Sequence, residues 1–225
     1  MRKDKKGFTL IELIIVIAIL AILTALITPK IQSYVEAANN QTDVSNAQTM
    51  AREITYYYTL HPEELKYLQA FQNDSPGVVE VLVVPDGVRF TTYNNTTSDN
   101  QRRAMCDVES IFDPTVKSCD TPNGGYVDTT KSKTYDTNIA IKCASKSTWK
   151  QYALAVTTWY QTSDMNMSDS ALKTYNASLP MQIHVYFTAW DNDADTAYDG
   201  FAKYWINNTN SSIKQFQSMC GGALY

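Results

Sequence analysis

The residue whose chemistry stands out most is Glu12, a carboxylate inside an apolar run that extends from Phe8 to Ile27. The other polar members of that run are Thr9 and Thr24. A helix of this length spans about 30 Å, the thickness of the hydrocarbon core of a bilayer. A carboxylate within such a helix costs about 2.5–3.5 kcal/mol on insertion scales, so an ionisable residue there indicates a function.

The residues before the run place a candidate cleavage site ahead of it. Residues 1–6 hold four cations and one anion, which favours a cytoplasmic location for this end. A secretory signal has a shorter apolar stretch, and its small-residue cleavage site follows that stretch. Here the small residue at a junction is Gly7, before the run. Cleavage after Gly7 would remove residues 1–7, make Phe8 the new amino terminus and take the net charge from −4 to −7.

The segment Lys6–Leu13, with its basic leader and the long apolar run, resembles the class III signal of type IV prepilins and of the related pseudopilins of type II secretion and competence systems. The resemblance implies that a dedicated inner-membrane prepilin peptidase cuts after Gly7 and methylates Phe8. It implies that Glu12 pairs with the amino terminus of a neighbouring subunit and sets the register of the filament. Such pairing relieves the cost of a lone carboxylate in hydrocarbon.

Hydrophobic periodicity predicts the element that carries these residues. We expect one long helix from Phe8 to about Tyr58, kinked or interrupted near Pro29, where a backbone donor is lost. The resemblance also covers Pro29, because many such pilins have a helix-loosening proline there. Residues 8–30 are predicted to be the transmembrane and polymerisation part of this helix, and residues 31–60 its amphipathic half. The amphipathic stripe recurs at helical spacing and consists of Val44, Ala47, Ala51, Ile54 and Tyr58.

Residues 61–225 are predicted to form a globular α+β head, an antiparallel sheet packed on the amphipathic half of the helix, as in a type IV pilin-like fold. Polar residues of that half, Asn40 and Asp43 among them, are assigned to its other faces. Residues 104–138 lack periodicity and predict a surface loop. A hairpin is predicted over Val78–Tyr93, and further strands at Ile139–Cys143, Gln151–Tyr160, Met181–Thr188 and Phe201–Ile206. A short helix is predicted near Ser168–Leu172, and either a short helix or a strand at Ser211–Met219.

The chain has four cysteines: Cys106, Cys119, Cys143 and Cys220. The predicted orientation puts them outside the cytoplasm, where disulfides persist, and three pairings are open. We favour Cys106–Cys119 as a local loop closure and Cys143–Cys220 as a tie between the carboxyl end and the middle of the head. Pilins commonly bracket a carboxyl-terminal region with such a bridge. A zinc site that adds His61 or His184 is the alternative, although no cysteine pair has C-x-x-C spacing.

An acidic stretch offers a candidate calcium site at Asp191, Asp193, Asp195 and Asp199. The alternating oxygen side chains match the start of a calcium loop, but Thr196 and Ala202 stand where an EF-hand needs glycine and a bidentate acid. Major secretion pseudopilins bind calcium in a loop of the head, which keeps a site of another type open. The alternative is a solvated acidic turn, and no other cofactor is expected.

No catalytic motif is present in the sequence, and we predict that the chain is not an enzyme. A set of aromatic residues in the head forms either a stacking surface for a glycan or host surface, or part of the core. The set consists of Trp149, Tyr152, Trp159, Tyr160, Trp190, Tyr204 and Trp205. Three lysines, Lys142, Lys146 and Lys150, are too few in an acidic head to indicate nucleic-acid binding.

The expected function is therefore structural: a major or minor pilin that polymerises through its amino-terminal helix and serves adhesion, motility or surface attachment. The alternative is a pseudopilin of a type II secretion or DNA-uptake system that moves or binds cargo. The precursor is expected to span the inner membrane once, with its head outside the cytoplasm. An inner-membrane assembly platform would then add it to an extracellular filament of identical or related subunits.

Overall fold

A single long helix, α1, runs from Leu10 to Leu60 and is the first element of the computed structural model. The structure describes residues 9–72, 75–92, 99–116, 139–161, 165, 167, 169–190 and 211–225. The helix begins after the N-cap Thr9, and at its other end the backbone N–H of His61 donates to the carbonyl of Tyr57. The prediction of a long helix is confirmed.

The helix continues through Pro29, so the predicted interruption there is wrong, whereas the alternative, a kink at Pro29, stays a prediction. Proline removes one backbone hydrogen bond from a helix, whereas the turns on either side keep theirs. The Thr28 hydroxyl also donates to the carbonyl of Thr24 at 2.7 Å, within the turn that precedes the proline. One missing bond does not end a helix whose remaining backbone groups are paired within it.

The head is built on a four-stranded antiparallel sheet. A 3₁₀ helix at Pro62–Leu68 and a small two-stranded ladder lead into it. The strands of the ladder are β1 (Ala70–Gln72) and β2 (Ser75–Pro76), and those of the sheet are β3 (Val78–Val84), β4 (Gly87–Thr92), β5 (Gln151–Thr157) and β6 (His184–Trp190), in the order β4-β3-β5-β6. The hairpin prediction is confirmed by the pairing of Val83 with Val88 across the turn.

One face of the sheet packs on the amphipathic half of α1. The stripe predicted from the sequence is buried there, with Ala47, Ala51 and Ile54 fully inaccessible. Alternate strand residues such as Val81, Leu154 and Phe187 meet this stripe, as the period of two along a strand requires. The opposite face, which includes Leu82 and Tyr186, is also buried, so β3 and β5 are covered on both sides.

The carboxyl-terminal end completes the sheet edge. Helix α4 (Ser211–Cys220) packs Phe216 against Trp149 and Tyr152 in the core shared with α1. The last residues then pair with the free edge of β6. The backbone N–H of Phe187 donates to the carbonyl of Ala223, and that of Tyr225 donates to the carbonyl of Val185, both at 2.9 Å. An edge strand is thereby protected from pairing with other chains.

Two predictions for the head are wrong. Part of the expected loop at 104–138 is helix α2 (Asp99–Phe112), which buries Ala104 and Val108, one turn apart. The sequence does carry a signal for this helix, because Ala104, Val108 and Ile111 recur at intervals of four and three. The expected strand at Ile139–Cys143 is irregular backbone. Cys143 donates one backbone hydrogen bond to the carbonyl of Val84 and then turns towards α1.

The remaining short elements agree with the sequence. Helix α3 (Asp169–Ala177) replaces the predicted Ser168–Leu172 segment with a longer one, and α4 confirms the helical option for the end of the chain. In β6, Val185 and Phe187 face α1 and Tyr186 faces the other side, as the alternation predicts. The strand predicted at Phe201–Ile206 lies outside the described residues.

Candidate functional site

The first half of α1 is an apolar surface with no partner among the described residues. Its large side chains are exposed, from Leu10 (77%) through Leu20 (56%) to Leu26 (65%). By length and composition, α1 is the one described helix that is apolar enough to cross a membrane. Exposed apolar surface of this extent indicates a membrane or protein contact.

Glu12 lies at the very start of this helix and forms a capping box with Thr9. The backbone N–H of Thr9 donates to Oε2 of Glu12 at 2.8 Å, and the Thr9 hydroxyl donates to the same oxygen at 2.7 Å. In return, the backbone N–H of Glu12 donates to the Thr9 hydroxyl at 3.4 Å. The capping box thus provides acceptors for two backbone N–H groups that have no partner within the helix. Gly7 and Phe8, the predicted sites of cleavage and methylation, lie outside the described residues.

The junction between the apolar half and the head is held by a second carboxylate, Glu36. Its Oε1 accepts hydrogen bonds from the backbone N–H groups of Lys146 (3.0 Å), Ser147 (2.8 Å) and Thr148 (3.0 Å). The hydroxyl of Ser145 donates to the same oxygen at 2.7 Å. Consecutive backbone N–H groups that converge on one oxygen form an anion-binding concavity, here occupied by the protein's own side chain.

Asp43, two turns further along α1, binds the same segment from its buried side. Its Oδ1 accepts from the backbone N–H of Ala144 at 2.7 Å, and its Oδ2 from that of Ser145 at 2.9 Å. The indole N–H of Trp149 donates to Oδ2 at 2.8 Å. Asn40, between the two acids, donates from Nδ2 to the Thr148 hydroxyl. We call Glu36, Asn40 and Asp43, together with Cys143–Trp149, the clamp.

The electrostatics of the clamp favour the ionised form of Glu36. Partial burial raises the pKa of its carboxyl. The hydrogen bonds from Ser147, Ser145, Thr148 and Lys146 outweigh that burial and lower the pKa to about 2. A carboxylate that accepts several backbone N–H bonds is stabilised as the anion. Glu36 therefore stays ionised at any ordinary pH.

The clamp also explains a set of buried polar residues that sequence periodicity misassigned. Asn40 and Asp43 were expected on the solvated faces of α1, yet they are 6% and 0% exposed. The sequence signal that could have found them is their spacing. Glu36, Asn40 and Asp43 recur at intervals of four and three, which puts them on one helix face with Ala47. Their partners are more than a hundred residues away along the chain, so no local pattern identifies them.

The cysteines divide into one bonded residue and two free ones within the described part of the chain. Cys106 is disulfide-bonded, and Cys119, its predicted partner, lies outside the described residues. The favoured Cys143–Cys220 bridge is wrong, because the structure has both as free, buried thiols. The Cys143 thiol points to the clamp, where it donates to Asp43 Oδ2 at 3.4 Å. Burial, with the Asp43 carboxylate beside it, raises the pKa of this thiol and keeps it protonated.

The structure tests the predicted metal site and the predicted aromatic surface only in part. Asp191, Asp193, Asp195 and Asp199, the predicted calcium ligands, lie outside the described residues. Among the residues that the structure describes, no three His, Cys, Asp or Glu side chains form a metal-binding group. Trp149 and Tyr152 are fully buried core residues, so neither belongs to an exposed stacking surface.

Comparisons with known proteins agree with the amino-terminal geometry. The prokaryotic N-terminal methylation motif matches residues 2–28. A fimbrial protein of Neisseria meningitidis serogroup A is 44% identical over 45% of this chain and 62% of that protein. The type IV major pilin protein PilE of Neisseria gonorrhoeae is 44% identical over 45% of this chain and 64% of its own length. The chain thus spans less than two thirds of these relatives.

A further relative is covered over most of its length. The type IV narrow pilus major component PilA5 of Thermus thermophilus is 30% identical over 47% of this chain and 81% of that protein. No solved structure matches the chain. The methylation motif, the coverage of the Thermus relative, and a long apolar helix that continues into a sheet-bearing head all agree: the chain belongs to the type IV pilin family.

Proposed function

We propose that the chain is a structural subunit of a type IV pilus, made as a single-pass membrane precursor and joined to its neighbours through the apolar half of α1. The observation that carries this proposal is the exposure of that half, while the other half of the same helix is fixed in the head. A helix that is apolar on all sides is stable in lipid or among other such helices. The membrane-anchored precursor would place this half in lipid, and the assembled filament would place it among other such helices.

The proposed processing gives each residue at the start of the chain a separate role. Prepilin peptidase would cut after Gly7, and Phe8 would become the methylated amino terminus. Support comes from the methylation motif, which matches across this junction. Both hydrogen bonds that the Glu12 carboxylate accepts from Thr9 end on Oε2. Oε1 can then meet the amino group of a neighbouring subunit, and this pairing would set the stagger between helices.

The relatives support a pilus subunit over a secretion pseudopilin. They are named as fimbrial proteins, major pilins and a major pilus component. In this proposal the head faces outward and serves adhesion, motility or attachment. The inner-membrane assembly platform extracts the subunit from the bilayer.

The pairing role of Glu12 is tested by Glu12→Val. We expect normal or improved membrane insertion, because an uncompensated carboxylate is removed from the apolar run. We expect filament yield in shear fractions to fall at least tenfold, because the register charge is lost. The matched control is Thr24→Val, which removes a polar group from the same run. The Thr24 hydroxyl donates only to its own helix, at Leu20. Equal filament yields from wild type and Glu12→Val would refute the pairing.

Leader removal is tested by Gly7→Val. A branched side chain at the predicted junction should block the peptidase, so the chain should accumulate at precursor mass in the membrane fraction. Intact-mass measurement of the membrane-bound chain resolves the loss of residues 1–7 and the addition of a methyl group. Processing of this variant at the wild-type rate would contradict the prepilin assignment, whatever the outcome for Glu12.

A further inference from the structure

The end of the head that faces the membrane carries an excess of unpaired lysines. Lys146 belongs to the clamp, directly at Glu36. Lys214 lies two residues after Ser212, whose hydroxyl donates to the carbonyl of Thr148 in the same clamp. Both lysines are exposed, as is Lys30 on α1 below them. Within the part of the chain that the structure describes, none of the three forms an ion pair.

Among the described residues, the acids of the clamp form no ion pair with these lysines. Glu36 and Asp43 are turned inward and bound by the backbone of the clamp. The exposed acid described at this end is Asp86, in the turn that follows Val84. Ion pairs around Glu64 and Arg103 lie at the opposite end of α1. Where the head meets the apolar helix, the exposed charged side chains of the described residues are therefore mainly lysines.

The rise of the helix places this surface close to a bilayer. Lys30 lies about 4.5 Å beyond Ile27, the end of the apolar run, and Glu36 about 13 Å beyond it. The headgroup layer adds about 5–8 Å on each side of the hydrocarbon core. Exposed apolar side chains fill the interval up to the clamp, namely Ile31 (53%), Tyr34 (74%) and Val35 (53%). Long lysine side chains can cover the remaining distance.

We propose that this base of the head, defined by Lys30, Lys146 and Lys214, rests on anionic phospholipid headgroups while the subunit is a single-pass membrane protein. The proposal rests on the membrane-anchored precursor proposed above. Charge complementarity and continuity with the apolar segment both favour lipid as the occupant. The contact holds the head upright on the bilayer and is released when the helix is extracted.

Lysine reactivity tests the contact in the intact protein. Full-length chain is placed in lipid nanodiscs of phosphatidylcholine alone or with added phosphatidylglycerol, and each lysine is labelled with an amine reagent and quantified by peptide mass. Lys30 and Lys146 should react about fivefold more slowly in the anionic discs, and high salt should remove the difference. Lys142 precedes Cys143, whose thiol donates to Asp43. Since Asp43 lies about 10 Å beyond Glu36 along α1, Lys142 is farther from the bilayer than Lys146 and should be protected less. Lys66, beyond the far end of α1, should not respond.

Three results would overturn the proposal. Equal labelling of Lys146 in both lipids would show that its charge meets no headgroups. Protection that grows with the number of subunits per disc, and not with phosphatidylglycerol, would assign this surface to a second copy of the chain. Protein that does not copurify with the discs would refute the membrane-anchored precursor itself, which is a separate and recognisable failure.

Charge reversal provides an independent measurement. A dye on Ser147→Cys reports its distance to acceptor-labelled headgroups by energy transfer, because Cys143 and Cys220 are buried. Lys146→Glu with Lys214→Glu should lower the transfer in anionic discs to the level seen in neutral ones. Lys66→Glu, the matched control, should leave it unchanged. Equal transfer in the double variant and the control would contradict a contact made by these lysines.

Discussion

The clamp predicts that Glu36 contributes measurably to the stability of the head, and Glu36→Gln tests this. The substitution keeps the size of the side chain and removes its charge. It leaves the backbone N–H groups of Lys146, Ser147 and Thr148 facing an amide in place of a carboxylate. We expect the segment to detach locally and the free energy of unfolding to decrease.

The pKa of Glu36 sets the size of the expected decrease in the free energy of unfolding. A fall from 4.5 to about 2 corresponds to about 3 kcal/mol if solvent screens none of it. Glu36 is half-buried and two of its donors are exposed, so water can replace part of what is lost. Screening of this kind reduces the expected effect to about 1–2 kcal/mol.

The pH dependence has a defined sign. The folded-state pKa of Glu36 is depressed, so its contribution is complete above the unfolded value of 4.5 and is lost as pH falls towards about 2. Wild type and Glu36→Gln should therefore differ by a constant amount above this window and converge within it. Below pH 2 the two proteins should unfold alike, as far as Glu36 is concerned.

Two assays separate local from global effects in the detergent-solubilised full chain. Denaturant unfolding followed by tryptophan fluorescence, to which Trp149 of the clamp contributes, measures the change in the free energy of unfolding. Amide hydrogen exchange measures the protection of residues 146–148, which should drop in the variant. Glu53→Gln is the matched control, because Glu53 is an exposed acid on the same helix. The reasoning is refuted if Glu36→Gln and Glu53→Gln unfold alike and their difference does not change between pH 5 and pH 2.

Two further predictions concern the buried side of the clamp. Trp149→Phe keeps an aromatic ring against Phe216 but removes the indole donor to Asp43, so we expect a loss of about 1.5–3 kcal/mol in denaturant unfolding; an unchanged midpoint would mean that this hydrogen bond contributes nothing. Alkylation of the denatured, unreduced chain should modify Cys143 and Cys220 but not Cys106, and peptide mapping that found the first two protected would restore the bridge between them.

Several features follow from the sequence because they depend on local pattern. The apolar run, Glu12 within it, and the stripe at Val44 and Ile54 are periodicities that a helix converts directly into faces. The hairpin at Val78–Thr92 follows equally from two β-branched runs around a turn residue pair. The apolar run and Glu12 also carried the family resemblance, which the comparisons then confirmed.

The tertiary structure decided what depends on distant partners. In the sequence, Glu36 and Asp43 are two more acids on a polar helix, and nothing near them shows that backbone N–H groups of residues 144–148 will bind them. Cys143 looked like a disulfide partner, because spacing cannot reveal that its thiol faces a carboxylate. Pro29 predicted an interruption because proline removes one backbone hydrogen bond. The neighbouring turns nevertheless keep the helix continuous through Pro29. Pattern along the chain determined the long helix and its apolar half, whereas packing across the chain determined how the head is held on that helix.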